Sequence, residues 1–438
     1  MIRIFAILTV TMLSVLPARA AVEVQEVTSP GGITAWLVEE HSIPFTALEI
    51  RFRGGSALDA PGKRGAINLM TGLLEEGAAG LNSQEFSAAR ERLATSFSYS
   101  VYDDVLSISA KFLTENRDEA VALLKTSIME PAFDQESIDR VKNQIFAGLK
   151  NDATDPSSIA SQTFDRLVWG DHPYGSSRDG TEESVAALTR DDILDARARV
   201  LGKDRIYVSA VGDITASELS DLLDSLLGDL PDATAPLPEH ADDLLKGGVK
   251  VVPFDTPQSV ALFGHQGITR DDPDFMGAYL LNEVFGGGGF ESRLMEEVRE
   301  KRGLTYGIST FLAPMESGEL ILGQVRSDNS KMAETIDVIR DEWKKIATDG
   351  ITQEELENAK KFLTGAYALR FDGNGPIAQI MVGMQMSDLP ADYIRTRNDQ
   401  IDALTLEDVN RIAKRIYQPE NLFFVVVGQP EGVTNSVE

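Results

Sequence analysis

The chain has 438 residues, of which 42% are hydrophobic, so its length predicts roughly two to four domains with large cores. It contains no cysteine, which excludes disulfides, thiol nucleophiles and thiolate metal sites. The formal net charge of −28 argues against binding nucleic acid or anionic lipid, because both partners are themselves negative.

The first 20 residues have the pattern of a secretory signal peptide. Arg3 precedes an apolar run from Ile4 to Leu16, and Ala18-Arg19-Ala20 gives a small-x-small cleavage pattern. The run is shorter than the ~20 residues that span a bilayer, so a membrane anchor is the weaker alternative. We therefore expect a periplasmic protein with no membrane span once the signal is removed.

The stretch that follows alternates between strand and helix patterns. Predicted strands are Thr34–Glu39, Thr46–Arg53, Ser96–Tyr102, Val105–Phe112 and Arg205–Val211, and predicted helices are 65–76, 83–93, 114–129, 134–150, 161–169 and 189–201. Ser83, Thr114 and Asp134 are the expected caps of three of these helices. Asp103-Asp104 is the expected turn of a hairpin.

A segment rich in Pro, Ala and Asp, residues 231–247, predicts a linker. Beyond it we predict strands at 249–252, 260–264, 319–325 and 422–427, with another starting near Tyr306, and helices at 275–285, 331–347, 352–369, 377–386 and 405–416.

The two sides of the linker repeat one another. Ala187-Leu-Thr-Arg-Asp-Asp-Ile recurs as Ala403-Leu-Thr-Leu-Glu-Asp-Val, each before a helix and then a strand, and the segment at Gln135-Glu136 recurs at Gln353-Glu354. A nearly constant offset indicates an old duplication. The predicted fold is α+β, with homologous half-domains at 22–230 and 248–434. Each is an antiparallel sheet with helices on one face, and together they form a clam-shell around a chamber.

Familiar hydrolase machinery is missing from the sequence. The four histidines, His41, His172, His240 and His265, include no pair at helical spacing, and no G-x-S-x-G elbow occurs. The run Gly286–Gly289 follows a helix and lacks the lysine of a phosphate loop, so its ordinary interpretation is a flexible break before the next helix. Glu75-Glu76 is more simply a solvated helix end than a metal ligand.

Arg299 and Tyr306, seven residues apart, are the remaining candidates for chemistry. A permanent cation and a hydroxyl donor beside a groove can hold a peptide carbonyl or a developing oxyanion. The alternative is a solvated helix residue followed by a half-buried strand residue.

The sequence resembles the insulinase/pitrilysin family of zinc peptidases in its short two-domain form. The resemblance rests on Arg53-Gly-Gly-Ser56, Gly65–Gly77, Phe133-Asp134 and Pro257-Gln-Ser259, and above all on the block from Ser292 to Tyr306. The resemblance implies that Arg299 and Tyr306 form a substrate-binding pair in the second domain.

The same resemblance implies that the catalytic motif is degenerate. Catalytic members carry H-x-x-E-H in the helix where this chain has Asn68 and Gly72 at the histidine positions and Thr71 at the glutamate base. The position of the third ligand falls near Val141. The chain is therefore expected to hold no zinc of its own.

This pattern resembles the non-catalytic subunit of the mitochondrial processing peptidase type. It implies a heterodimer with an H-x-x-E-H paralogue that carries the zinc, with peptides as substrates and Gly286, Gly287, Gly288 and Gly289 as a shortened substrate-recognition loop. A non-catalytic scaffold or peptide-binding protein of the same fold is the alternative. An autonomous peptidase with an unrelated site is a third.

Overall fold

Two large β-sheets and the helices packed on them make up the fold. The structure is a computed structural model that describes residues 23–242 and 244–437, without the side chain of Phe290. The predicted signal peptide, residues 1–20, lies outside the described residues. Within the described ranges, no helix is both long enough and apolar enough to cross a membrane.

The strands are β1 Gln25–Thr28, β2 Thr34–Glu39, β3 Phe45–Arg53, β4 Gly77–Ala78, β5 Leu81–Asn82, β6 Ser96–Val101, β7 Val105–Leu113, β8 Ile206–Gly212, β9 Gly248–Pro253, β10 Gln258–Gln266, β11 Thr305–Met315, β12 Gly318–Asp328 and β13 Phe423–Gly428. The helices are α1 Ala66–Leu73, α2 Ser83–Arg92, α3 Arg117–Met129, α4 Gln135–Asp152, α5 Pro156–Trp169, α6 Glu182–Ala186, α7 Arg190–Val200, α8 Ala216–Leu227, α9 Phe275–Asn282, α10 Met332–Asp349, α11 Gln353–Tyr367, α12 Asn374–Met386, α13 Tyr393–Ala403 and α14 Leu406–Ile416. Two π-helical segments, Glu283–Gly287 and Met295–Glu300, precede β11.

The strand order shows the duplication directly. The first sheet runs β1-β2-β8-β3-β7-β6, and the second runs β9-β13-β10-β12-β11, which repeats the order of its five matching strands. All neighbours are antiparallel except β2 with β8 and β13 with β9. The expected α+β fold with mainly antiparallel sheets is confirmed.

Each half contributes one helix that packs on the sheet of the other half. Each sheet carries its own helical core on one face. On the other face, α5 of the first half packs against β10 and β13, with the Phe164 and Phe423 rings 6.2 Å apart. Reciprocally, α12 packs on β8 and β3, where Ser209 Oγ donates to the Ala378 carbonyl at 2.6 Å. This exchange joins the halves across both sheets, and the boundaries 22–230 and 248–434 remain a prediction.

Some helices are capped by residues other than those predicted, because nearby side chains form different hydrogen bonds. Asn82, not Ser83, caps α2 in a capping box with Glu85. Thr114 lies in a 3₁₀ turn before α3, and its hydroxyl donates to Asp213 at 2.7 Å instead of capping the helix. Asp134 caps α4 as expected. Strand β1 and helices α8 and α13 were not predicted, although α8 buries five leucines at helical spacing.

Asp165 on α5 should make the stability of the protein depend on pH. Burial, and secondly the charge of Asp103, raises its pKa from 3.8 to about 7. A raised carboxyl pKa stabilises the fold below about pH 3.8, and this contribution is lost as the pH rises through 7. Asp165→Asn should therefore raise the free energy of unfolding at pH 8 by roughly 2–4 kcal/mol relative to the wild type. Chemical denaturation at pH 5 and pH 8 measures this, with the exposed Asp171→Asn as a control that should show no such difference.

Candidate functional site

Arg299 and Tyr306 lie on the two arms of a tight turn between a π-helical segment and β11. Val298 is fully buried and fixes the segment on the core, while Arg299 is half-exposed and its Nε lies 3.3 Å from a Glu300 carboxylate oxygen. Gly303 reverses the chain at φ +61, a left-handed conformation that favours glycine, and its N–H donates to the Arg299 carbonyl at 2.8 Å.

A β-bulge directs Tyr306 out of the sheet. Thr305 pairs with Ser327 and Ile308 with Val325, so two residues of β11 face the single Arg326 of β12. The Thr305 hydroxyl holds the bulge by donating to the Arg326 carbonyl at 2.5 Å. Tyr306 is consequently 86% exposed, an unusual state for a large aromatic residue, and bulges of this kind often redirect side chains near active sites.

The turn and the bulge bring Arg299 and Tyr306 to one cavity of about 350 Å³. Arg326 and Lys331, which the sequence analysis did not identify, line it as well, together with the acidic residues Glu300 and Asp328. Lys331 donates to the Gly303 carbonyl at 3.0 Å, and Arg326 donates to Ser157 of α5 at 2.7 Å. Three cations around an exposed phenol suit a partly negative oxygen, such as a polarised peptide carbonyl.

The run Gly286–Gly289 is not among the residues that line this cavity. It ends one π-helical segment and starts a 3₁₀ turn, with Gly286 buried and Gly287 and Gly289 exposed. A Cβ on Gly286 would lie 2.4 Å from Thr310 Oγ1 of β11, so this glycine is needed for packing. The role in substrate recognition expected for the four glycines stays a prediction.

Gly286→Ala should destabilise the protein by about 1–3 kcal/mol, because the added methyl overlaps β11. Gly365→Ala is the matched control, since it lies in α11 with no atom within 4 Å of the added Cβ, and removing a helical glycine should be neutral or stabilising. Thermal unfolding of both variants measures the effect, and equal midpoints would contradict it.

The degenerate zinc positions lie together between α1 and α4. Asn68 Nδ2 donates to Asp179 at 2.9 Å, and the buried Thr71 hydroxyl donates to the Ile67 carbonyl at 2.7 Å. A Cβ on Gly72 would lie 3.0 Å from Val141 Cγ1, which places the third expected ligand position beside the second. The structure therefore brings together the positions that the sequence analysis aligned with a zinc site, each occupied by a residue with no zinc-binding side chain.

Other possible ligands have ordinary structural roles. Glu75 pairs with Arg90 at 3.2 Å and Glu76 with Arg140 at 2.5 Å. His265 is fully buried, accepts a hydrogen bond from Trp343 Nε1 at 2.9 Å, and burial lowers its pKa to about 4. Among the described residues, no group of three or more His, Cys, Asp or Glu is placed to hold a metal ion.

The two-sheet fold and the replaced ligand positions define a metallopeptidase-like protein without the catalytic motif. The chain belongs to the insulinase family, peptidase family M16. Residues 35–182 match the family model described as insulinase (peptidase family M16), and residues 187–363 match the model described as the peptidase M16 inactive domain.

Bacterial relatives match over most of their length. The "non-peptidase homolog YmxG" of Helicobacter pylori is 27% identical, covering 89% of this chain and 90% of the relative. The "uncharacterized zinc protease YmxG" of Bacillus subtilis is 22% identical, covering 90% and 96%. A crystal structure described as the peptidase M16 inactive domain from Pseudomonas fluorescens superposes with a TM-score of 0.88 and 28% identity, covering 95% of this chain and all of that one.

Proposed function

We propose that this chain is the zinc-free subunit of a heterodimeric metallopeptidase of the periplasm. Its partner would carry H-x-x-E-H and zinc, and this chain would supply Arg299 and Tyr306 to bind peptide and stabilise the transition state. The observation that carries the proposal is the contrast between two places in one chain. The zinc positions hold Asn68, Thr71 and Gly72, while Arg299 and Tyr306 remain together at one cavity.

The chemistry can be divided between two chains. A zinc ion on the partner would supply a Lewis acid and an activated water for peptide hydrolysis, and the negative charge that hydrolysis places on the carbonyl oxygen would need stabilisation. A fixed guanidinium and a phenol hydroxyl at this oxygen stabilise the charge more strongly in the transition state than in the bound substrate. Neither group needs to be on the chain that holds the metal.

The test is to purify the chain alone and with an H-x-x-E-H paralogue from the same genome. We expect the two to co-purify, zinc to be found on the paralogue, and peptide cleavage to require both. Cleavage by this chain alone, or full activity of the paralogue alone, would contradict the proposal. Metal analysis of each separated chain and a quenched-fluorescence peptide library provide the measurements.

A scaffold or peptide-binding role without a catalytic partner is the second candidate. The Helicobacter pylori relative, described as a non-peptidase homologue, favours it. A stable complex with the paralogue whose activity does not depend on this chain would support this role over the first.

A further inference from the structure

A second, larger cavity of about 830 Å³ lies mainly in the second half of the chain and shares no lining residue with the Arg299–Tyr306 cavity. Helices α9, α12 and α13 and the strands β11 and β12 contribute most of its wall, and Arg53 reaches it from the first half. Its volume lies within the range of small-ligand sites in proteins.

Three arginines that line this cavity, Arg270, Arg370 and Arg397, form no ion pair with a carboxylate of the described residues. Arg397 is only 5% exposed. Its Nη1 donates to the Leu363 carbonyl at 2.9 Å and to Asn398 at 3.0 Å, and its guanidinium lies 4.4 Å from the centre of the Tyr367 ring. The contacts of this buried guanidinium are with aromatic rings and neutral oxygens, so an anionic group of a ligand could supply the opposite charge.

Arg270 repeats this arrangement at a second place in the wall. Its guanidinium lies 4.3 Å from the centre of the Phe275 ring and donates to the Tyr393 hydroxyl at 3.3 Å. The chain has 69 acidic and 41 basic residues, so arginines are more often expected beside carboxylates than beside rings. The planar fork of an arginine matches a carboxylate in both hydrogen bonds.

Four carboxylates also line the cavity, and among the described residues none of them forms an ion pair with the three arginines. Glu283, outside the lining, interacts electrostatically with Arg370. Glu316 and Asp388 pair with Arg53 at 3.5 and 3.8 Å, Glu319 lies 3.6 Å from His240, and Asp271 is exposed. These groups would repel a ligand with several negative charges more strongly than a ligand with a single carboxylate.

Glu319 indicates a second property of the ligand, the presence of a hydrogen-bond donor. It is 8% exposed, and its Oε1 accepts from Gln266 at 3.1 Å. Its Oε2 is buried and has no hydrogen-bond partner among the described residues, and it lies 3.6 Å from His240 Nε2, which is a charged partner only when the imidazole is protonated. An acceptor in this state is costly to leave unpaired and fits a ligand that donates N–H groups. Met276, Met384 and Phe311 supply adaptable apolar surface beside it.

We propose that this cavity binds the carboxyl-terminal end of a short peptide with an apolar last residue. The carboxylate lies against Arg270, Arg370 and Arg397, a peptide N–H donates to Glu319, and the apolar side chain packs on the methionines and Phe311. The site is independent of the heterodimer proposal, because it is complete within this chain.

The experiment is calorimetric titration of the purified chain with acetyl-trileucine, its carboxamide and octanoate. We expect the free acid to bind at least about tenfold more tightly than the carboxamide, which lacks the charge, and than octanoate, which lacks N–H groups. The double variant Arg270→Gln/Arg370→Gln should lose about tenfold or more in affinity. Arg395→Gln, exposed on the same helix as Arg397 and outside the cavity, should bind as the wild type does.

Three results would overturn the proposal: no binding of the free acid at millimolar concentration, equal binding of acid and carboxamide, or octanoate binding as tightly as the peptide. Tighter competition by inorganic phosphate than by acetate would also reject a carboxylate site. Arg397→Lys, which keeps the charge and loses the planar fork, serves as a second variant. Thermal unfolding of each variant separates a lost site from a lost fold.

Discussion

In the proposed two-subunit peptidase, replacing Arg299 with alanine should lower kcat/KM by about 10²–10³-fold. This is the typical effect of removing one donor that stabilises a developing oxyanion. The effect should fall on kcat as well as KM, since the charge that Arg299 meets is greater in the transition state than in the substrate. Steady-state kinetics with a fluorogenic peptide at saturating partner concentration measures both constants.

Tyr306→Phe should give a smaller loss, about tenfold to a hundredfold, because it removes one neutral donor and keeps the ring. The β-bulge leaves the ring 86% exposed, so this variant should fold with an unchanged unfolding midpoint. A double variant that loses no more than Arg299→Ala alone would show that the two side chains act on one atom as a unit.

The matched controls are Arg302→Ala and Tyr102→Phe. Arg302 follows Arg299 in the same turn but pairs with Glu297 at 2.7 Å and does not line the cavity. Tyr102 is another exposed tyrosine, at 55%, in the first half. Both should retain wild-type kinetics. If Arg302→Ala is as damaging as Arg299→Ala, the effect is one of general surface charge and the assigned role is wrong.

The sequence predicted the repeated strands because strand and helix periodicities are local properties of the chain. The family resemblance assigned Gly72 and Val141 to one site, and a Cβ on Gly72 would lie 3.0 Å from Val141 Cγ1, whereas the assignment of Asn68, Thr71, Gly72 and Val141 as former zinc-site positions stays a prediction. The reciprocal packing of α5 and α12 was not predicted. Both helices carry apolar residues that they bury, and nothing in such a sequence states which sheet the helix will cover.

The β-bulge at Tyr306 could not be predicted from the sequence for a similar reason. It depends on a one-residue mismatch between β11 and β12, and register is a property of two strands that neither strand shows by itself. Arg326 and Lys331 escaped prediction for a related reason. Arg326 lies opposite the bulge that contains Tyr306, and Lys331 donates to the Gly303 carbonyl in the same turn, but both are 20 or more residues away from the candidate pair in sequence.

Building a metal site at the four aligned positions tests the proposal that they correspond to the zinc site of catalytic family members. The variant Asn68→His, Thr71→Glu, Gly72→His and Val141→Glu should bind about one zinc ion per chain, because it restores three ligands and the base on facing helices. Asp179, which already accepts a hydrogen bond from residue 68 at 2.9 Å, is placed to orient a histidine there.

The matched control keeps Val141 and carries the other three substitutions. It has two ligands in place of three, and Val141 Cγ1 lies 3.0 Å from the position of a residue-72 Cβ, so the new histidine is crowded. We expect its zinc affinity to be lower by more than about 100-fold, since even loss of an outer partner costs 10–100-fold. Metal analysis after dialysis and the zinc-induced rise of the unfolding midpoint report the difference. A folded four-site variant that takes up no zinc would show that α1 and α4 have diverged in position as well as in sequence.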